Sequence, residues 1–160
     1  MHRALYVSDM RLDSMSNDAH EHVAAIVEKA KQSNKAAGVT GALIFVDGVF
    51  IQVLEGPLSA IEPVFERICC DTRHANIRLI EFVEADQRLF PDWSMAFHGD
   101  TQSTFGHTAA SELLAEVNDD KPISAEGVLR HMRRLILTGA WLTHQGNGIG
   151  QLLDGYQPTA

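Results

Sequence analysis

The sequence predicts an α+β fold, one sheet with two helices on one face, followed by C-terminal helices. Three observations lead there. Five segments before residue 100 carry the residue types and alternation of strands. Two stretches between them place apolar residues at helical spacing. The dipeptide Asp47-Gly48 separates two apolar runs and marks a tight hairpin.

RALYVS, residues 3–8, reads as the first strand. Successive strand side chains point to opposite faces, so Ala4, Tyr6 and Ser8 share one and Leu5 and Val7 the other. A polar loop, DMRLDSMSN, follows. A helix is predicted over about residues 18–34, opened by Asp18 with Glu21 in a capping-box pattern. Its apolar stripe is Val23, Ile26, Val27 and Ala30, and Asn34 continues that stripe. Gly38 is a suitable stop. GALIFV, 41–46, and VFIQVLEG, 49–56, form the two arms of the hairpin, and Gly56-Pro57 ends the second arm. Ser59 with Glu62 suggests a second capping box, which places Pro63 in the first turn, where proline is tolerated. Ile61, Val64, Phe65 and Ile68 make the second helical stripe, which ends near DTRH, 71–74. NIRLIEFVEA reads as the fourth strand and WSMAF, 93–97, as the fifth.

The order β-α-β-β-α-β-β is ferredoxin-like with an extra strand, and it returns both helices to one sheet face. The opposite face, where Ile51 and Val53 point, needs its own cover. Leu113, Leu114 and Val117 within 109–118, and Val128, Met132, Leu135 and Ile136 within 123–138, mark two helices that can pack back on the sheet or meet a second copy. The Gly-rich end, GNGIGQLLDGYQPTA, is expected to be mobile. The division is therefore a sheet domain over 1–99 and a helical extension with tail over 100–160.

A chain of 160 residues with 45% hydrophobic content supports one domain with a sizeable core. A net charge of −8 argues against a general nucleic-acid or anionic-membrane surface. No apolar run approaches the roughly 18 residues that span a bilayer, and the N-terminus has no signal-peptide pattern. The only cysteines, Cys69 and Cys70, are adjacent and form neither a disulfide framework nor a metal spacing, so a cytoplasmic setting is expected. The histidines lack ligand spacing, and no metal site is predicted. GxSxG, P-loop and GxGxxG patterns are absent from the sequence.

Gln52 is the anomaly. In VFIQVLEG both faces read as buried, yet a side-chain amide stands in the middle, and leaving such a group unpaired costs roughly 1–3 kcal/mol. One answer is a bond to neighbouring backbone; the other is a bond to a ligand between sheet and helices. Tyr6 lies on the strand that this order makes a neighbour of Gln52, and Asn34 closes the covering helix. Three hydrogen-bonding groups in an apolar pocket have the composition of a small-molecule site. A polar network serving only the fold is the competing reading.

The stretches LYVS, SNKAAGVTGALIF, GVFIQVLEGP, RICCDTRHANI and FPDWSMAF, in that order and spacing, resemble the BLUF domain, a blue-light sensor using flavin adenine dinucleotide (FAD). The resemblance covers about residues 3–98 and favours the ligand answer for Gln52. It implies a flavin between the two helices. It also implies Tyr6 as electron donor, Gln52 as the switching amide and Asn34 as a contact to the polar edge of the ring. Arg67, Asp71 and His74 match positions near the ribityl chain or ring. Trp93 and Met95 match the tryptophan and fifth-strand methionine tied to signalling. Ser33 departs from relatives that carry histidine or asparagine before the equivalent of Asn34.

Structural roles compete at several positions. Arg67 and Asp71, four apart, suit an ion pair on the second helix. His74 suits a cap at its end, and Trp93 and Met95 suit core packing. The reading is a stand-alone photoreceptor, not an enzyme, acting through C-terminal or partner contacts. Its expected partners are a second copy, which could cover the outer sheet face, and a downstream signalling protein such as an enzyme of cyclic-dinucleotide signalling. The alternatives are a flavin-free interaction module and a small hydrolase on the same fold. The hydrolase would need an anion-binding loop after the first strand, where Arg11 is present without a suitable glycine.

Overall fold

The structure is a computed structural model that describes residues 1–11, 19–99, 104–118 and 122–145. The predicted Asp18 cap and the Gly-rich end lie outside the described residues. The elements are β1 (His2–Met10), α1 (Ala19–Ala37), β2 (Thr40–Val46), β3 (Val49–Gly56), α2 (Leu58–Cys69), β4 (His74–Glu84), β5 (Ala96–Gly99), α3 (Thr104–Asn118) and α4 (Ala125–Gln145). They form the ferredoxin-like α+β arrangement read from the sequence. The five-stranded sheet has the order β4-β1-β3-β2-β5. All pairs are antiparallel except the edge strand β5, which runs parallel to β2.

The alternation rule places the strand side chains as expected. Ala4, Tyr6, Phe50 and Leu54 join one core cluster with Val23, Ile26 and Val27 of α1 and Ile61 and Val64 of α2. Leu5, Val7, Ile51 and Val53 join the other. That outer face is closed by Leu113 and Val117 of α3 and by Val128, Met132 and Ile136 of α4. Ile51 and Val53 are 0% exposed, so the expected homodimerisation through this face is displaced by the chain's own helices. The two helices thus take the first of the two roles open to them.

Turns follow the local chemistry. Asp47 at φ 48 and Gly48 at φ 77 make the hairpin turn with two positive φ values. Gly38 at φ 67 ends α1. Its N–H donates to Lys35 O at 3.3 Å, and the Val39 N–H donates to Asn34 O at 2.9 Å. These two bonds form a Schellman closure, which fixes the backbone at Asn34.

Several boundaries differ from the sequence reading, among them β4, which starts at His74 rather than Asn76. β1 extends to Met10, and α1 continues to Ala37. α2 starts at Leu58 behind Pro57, which makes no side-chain cap bond; the Ser59–Glu62 capping box is therefore not formed. Ser59 is already helical, and a capping residue must precede the helix. Pro63 consequently falls in the second turn, where its missing N–H removes a helix bond. The fifth strand is Ala96–Gly99 rather than 93–97. Its ladder begins only at the Ala42–Ala96 pair, and just before it the Ser94 carbonyl accepts from the Asn34 side chain at 2.9 Å.

Candidate functional site

The site is built on two central strands. In the β1–β3 ladder Tyr6 stands directly opposite Gln52. Both point to the face covered by α1 and α2, and their exposures are 0% and 3%. The Tyr6 hydroxyl donates to Gln52 Oε1. Burial first, then the nearby Cys69 and Asp71, push the Tyr6 pKa well above its ordinary value. The phenol is therefore held neutral and acts as a donor. That assigns the oxygen end of the Gln52 amide to Tyr6 and turns its nitrogen away. Phe65 packs edge-on to the Tyr6 ring, with centroids 5.3 Å apart.

Gln52 Nε2 donates to Met95 Sδ at 3.5 Å. A thioether is a weak acceptor, and a primary amide offers two N–H donors. The nitrogen end is thus poorly matched by what it meets among the described residues. Asn34, 1% exposed, lies in the same cluster's wall at the end of α1. Its Nδ2 bonds Ser94 O at 2.9 Å. One short segment, 93–95, therefore meets both site amides, through the Ser94 backbone and the Met95 side chain. Its two flanking side chains part company. Met95 belongs to the cluster with Tyr6, and Trp93 to the outer cluster beneath α3 and α4.

At the other end of the sheet, His74 opens β4 rather than capping α2. Its Nδ1 lies 2.8 Å from Ser8 Oγ, and its ring is 4.7 Å from that of Phe50. Burial is the largest influence on His74 and lowers its pKa, partly opposed by Asp71. Asp71 follows the helix and pairs with Arg73, not with Arg67: Arg73 Nε donates to its Oδ1 at 2.9 Å. The Arg73 hydrogen bond is the main reason the Asp71 pKa falls to about 2. The Arg67–Asp71 pair expected from spacing does not form because Asp71 leaves the helix, whereas i,i+4 spacing brings side chains together only within one. Arg67 is exposed on the last turn of α2. The structure thus brings Tyr6, Gln52, Asn34 and Met95 together. It sets His74 and Asp71 at the β4 end and leaves Trp93 on the far side of the sheet.

Two residues that the sequence reading passes over hold this arrangement. Glu55 is 0% exposed and accepts hydrogen bonds from Arg3 Nε and from the backbone N–H groups of Leu89 and Phe90. Arg88 donates to Thr40 Oγ1, to Glu55 O and to Gly38 O. The available signal is Glu55 itself, a second polar residue in an otherwise apolar strand.

Comparison with known proteins places this geometry. The family model described as "BLUF: Sensors of blue-light using FAD" matches residues 1–96. The chain belongs to the BLUF family. The photoactivated adenylate cyclase subunit beta of Euglena gracilis is 32% identical over 74 residues, which are 46% of this chain and 9% of that protein. The chain therefore matches only a small part of the curated relative's length. Among solved structures, the dark state of BlrB, a BLUF protein, superposes with TM-score 0.68 at 26% identity, covering 86% of this chain and 96% of that one. Klebsiella pneumoniae BlrP1 with FMN and cyclic diGMP superposes with TM-score 0.60 at 26% identity, covering 87% and 35%.

Membership makes this a blue-light-sensing, FAD-binding, signalling domain. The residues present fit a flavin on chemical grounds. The apolar walls of α1 and α2 suit a planar ring, and the under-matched Gln52 nitrogen suits the carbonyl and ring-nitrogen acceptors of a flavin edge. Among the described residues no helix is long and apolar enough to cross a membrane.

Proposed function

We propose that this BLUF domain senses blue light through the Tyr6–Gln52 pair. The observation that carries the reading is the buried hydrogen bond from Tyr6 to Gln52 Oε1, with the opposite end of the amide on Met95. Gln52 and Asn34 hold the polar edge of the ring, and Arg67, Asp71 and His74 stand along the α2 side of the cofactor. When bound, FAD supplies a light-excited ring that accepts an electron.

Tyr6 gives that electron. Loss of an electron makes a phenol strongly acidic, so its proton moves along the existing hydrogen bond to Gln52 Oε1. The Gln52 amide then rearranges, by rotation or by passing to its imidic tautomer. Its donor and acceptor ends change places relative to Tyr6 and Met95. A stronger Gln52 donor facing the bound ring would lower its transition energy slightly and give a small red shift. With the electron and proton returned to Tyr6, the Gln52 amide would keep its rearranged form until it relaxes in the dark to the starting pair, so the cycle forms no covalent bond to protein.

The signal leaves through segment 93–95. Gln52 holds Met95 on the inner face, while Trp93 lies under α3 and α4 on the outer face. A changed Gln52 bond thus biases the packing of the C-terminal helices, a two-state element of the kind that switches use. In this reading residues 1–99 are the sensor and 100–160 the output extension, and the chain performs no catalysis of its own. Its partners are a further copy of the chain or a separate signalling protein in the cytoplasm, with an enzyme of cyclic-dinucleotide signalling as one class. They are reached through α3 and α4, since the outer sheet face is filled. Glu116 and Glu112 on α3, facing His131 and Arg134 on α4, form the polar seam that such a repacking would disturb.

The test is the visible absorption of purified protein supplied with FAD, in darkness and after blue light. A flavin spectrum with a small reversible red shift is expected. A protein that binds no flavin, or binds it without a shift, refutes the reading and returns Gln52 to a structural role.

A further inference from the structure

The polar hub at the Thr40 end of the sheet touches the strands that carry Tyr6 and Gln52 and the end of the helix that carries Asn34. Glu55 lies three residues after Gln52 on β3, and its partner Arg3 three before Tyr6 on β1, with Arg3 Nε to Glu55 Oε1 at 2.8 Å. Arg88 Nη2 reaches Gly38 O at 2.9 Å, in the closure that ends α1 just beyond Asn34. Arg88 Nη1 reaches Thr40 Oγ1 and Glu55 O, both at 2.7 Å. The Glu55 carboxylate takes the N–H groups of Leu89 at 2.9 Å and Phe90 at 3.0 Å. These bonds fix the chain from 88 to 90. Five residues beyond Phe90 is Met95, whose sulfur meets Gln52. A second anchor holds the same segment from the other side, where the Gly41 N–H donates to Trp93 O at 3.1 Å. A Cβ at Gly41 would drive into the Val53 carbonyl, so only glycine gives this close approach.

We propose that Glu55 and Arg88 are positioning residues of the light switch: they hold the segment leading to Met95 in the register that sets its sulfur against Gln52, and so they set how long the switched state lasts. A carboxylate that is fully buried and accepts two consecutive backbone N–H groups fixes both the position and the direction of the chain it grips. Strand periodicity cannot do so here, because residues 85–95 belong to no strand. The inference rests on the reading of Gln52 and Met95 given above.

The test uses the full chain with Arg88→Ala, Arg88→Lys and Glu55→Gln. Arg88→Lys keeps a cation that can hold one or two of the three carbonyl and hydroxyl contacts. Val46→Ala makes a cavity at the opposite, hairpin end of the sheet and serves as a destabilised control. Two readouts apply. In flavin-free protein, amide hydrogen exchange at Leu89 and Phe90 and the Met95 methyl resonance report the clamp itself. In flavin-loaded protein, dark recovery after blue light reports its consequence.

Arg88→Ala is expected to raise exchange at Leu89 and Phe90 at least tenfold, shift the Met95 resonance and shorten recovery several-fold. Arg88→Lys should restore part of each effect, and Val46→Ala should leave all three within about twofold. Should Arg88→Ala fail to fold, Arg88→Lys and Glu55→Gln decide by the same readouts. Unchanged exchange and an unmoved Met95 resonance overturn the clamp, as does a loosened segment with unaltered recovery. A wild-type protein without a light response would sink the photochemical reading instead. The flavin-free measurements would then still decide whether the clamp exists.

Discussion

The two faces of the sheet are made from the same strands and do different things. On the inner face, β1 and β3 alternate apolar residues with Tyr6, Ser8 and Gln52, all buried. On the outer face, the alternate positions of the same strands are Leu5, Val7, Ile51 and Val53, met by the apolar stripes of α3 and α4. The outer face is a core that closes on itself. The inner face buries Tyr6, Ser8 and Gln52, and the Gln52 nitrogen meets only a weak thioether acceptor among the described residues. A protein keeps a costly buried amide where something else completes it. In the proposed reading the contrast separates a surface that packs on itself from one arranged around a flavin, and segment 93–95 is where the two touch.

The largest predicted effects break the inner face alone. Tyr6→Phe should keep flavin binding and abolish the reversible red shift, because phenylalanine has no hydroxyl proton to pass on. Gln52→Leu should do likewise. Light-minus-dark absorption checks both, and a normal shift in either variant contradicts its assigned role. Next, Met132→Ala on the outer face should cost about 2–5 kcal/mol of stability through an unfilled cavity. It should leave the size of the red shift intact. Denaturant titration alongside the same spectroscopy reads both quantities, and loss of the photoshift without loss of stability would erase the distinction between faces.

A smaller effect comes from Asp71. Its folded pKa is about 2 against an ordinary 3.8, held down chiefly by Arg73. A depressed carboxylate contributes stability that is complete above the unfolded pKa and lost as pH falls through the folded one. The protein should therefore lose on the order of 1 kcal/mol from this group between about pH 4 and pH 2, after discounting for solvent screening of a pair near the surface. Asp71→Asn should flatten that part of the acid profile in urea titrations. The smallest shift concerns His74, whose pKa is lowered by burial beside Ser8 and Phe50. A histidine buried neutral stabilises fully above its unfolded pKa and loses that contribution as pH falls. His74→Gln should make stability less sensitive to acidification below about pH 6.5, with an unchanged slope there counting against the assignment.

Much of this is legible from residue pattern. Strand alternation alone puts Tyr6 and Gln52 on one face and Ile51 and Val53 on the other. The helical stripe places Asn34 on the buried side of α1, and Asp47-Gly48 fixes the hairpin that sets the β2–β3 register. What the pattern misses shares a physical cause. The path of residues 85–95 is set by side-chain-to-backbone bonds from Glu55, Arg88 and Asn34, which have no period. Residue pattern accordingly starts the fifth strand three residues early. An Arg67–Asp71 pair requires α2 to continue through residue 71, whereas the helix stops at Cys69 and Arg73 captures the carboxylate. The opposed placement of Trp93 and Met95 is hidden by their spacing of two, which in a strand would set both on one face. Because they precede β5, the chain there is free of that rule.

The most direct measurement is the side-chain amide nitrogen resonance of Gln52 in isotope-labelled protein loaded with FAD, in darkness and under blue light. The account predicts that this resonance moves on illumination and returns with the same time constant as the red shift. An absorption shift that comes and goes while the Gln52 amide stays unmoved would contradict it.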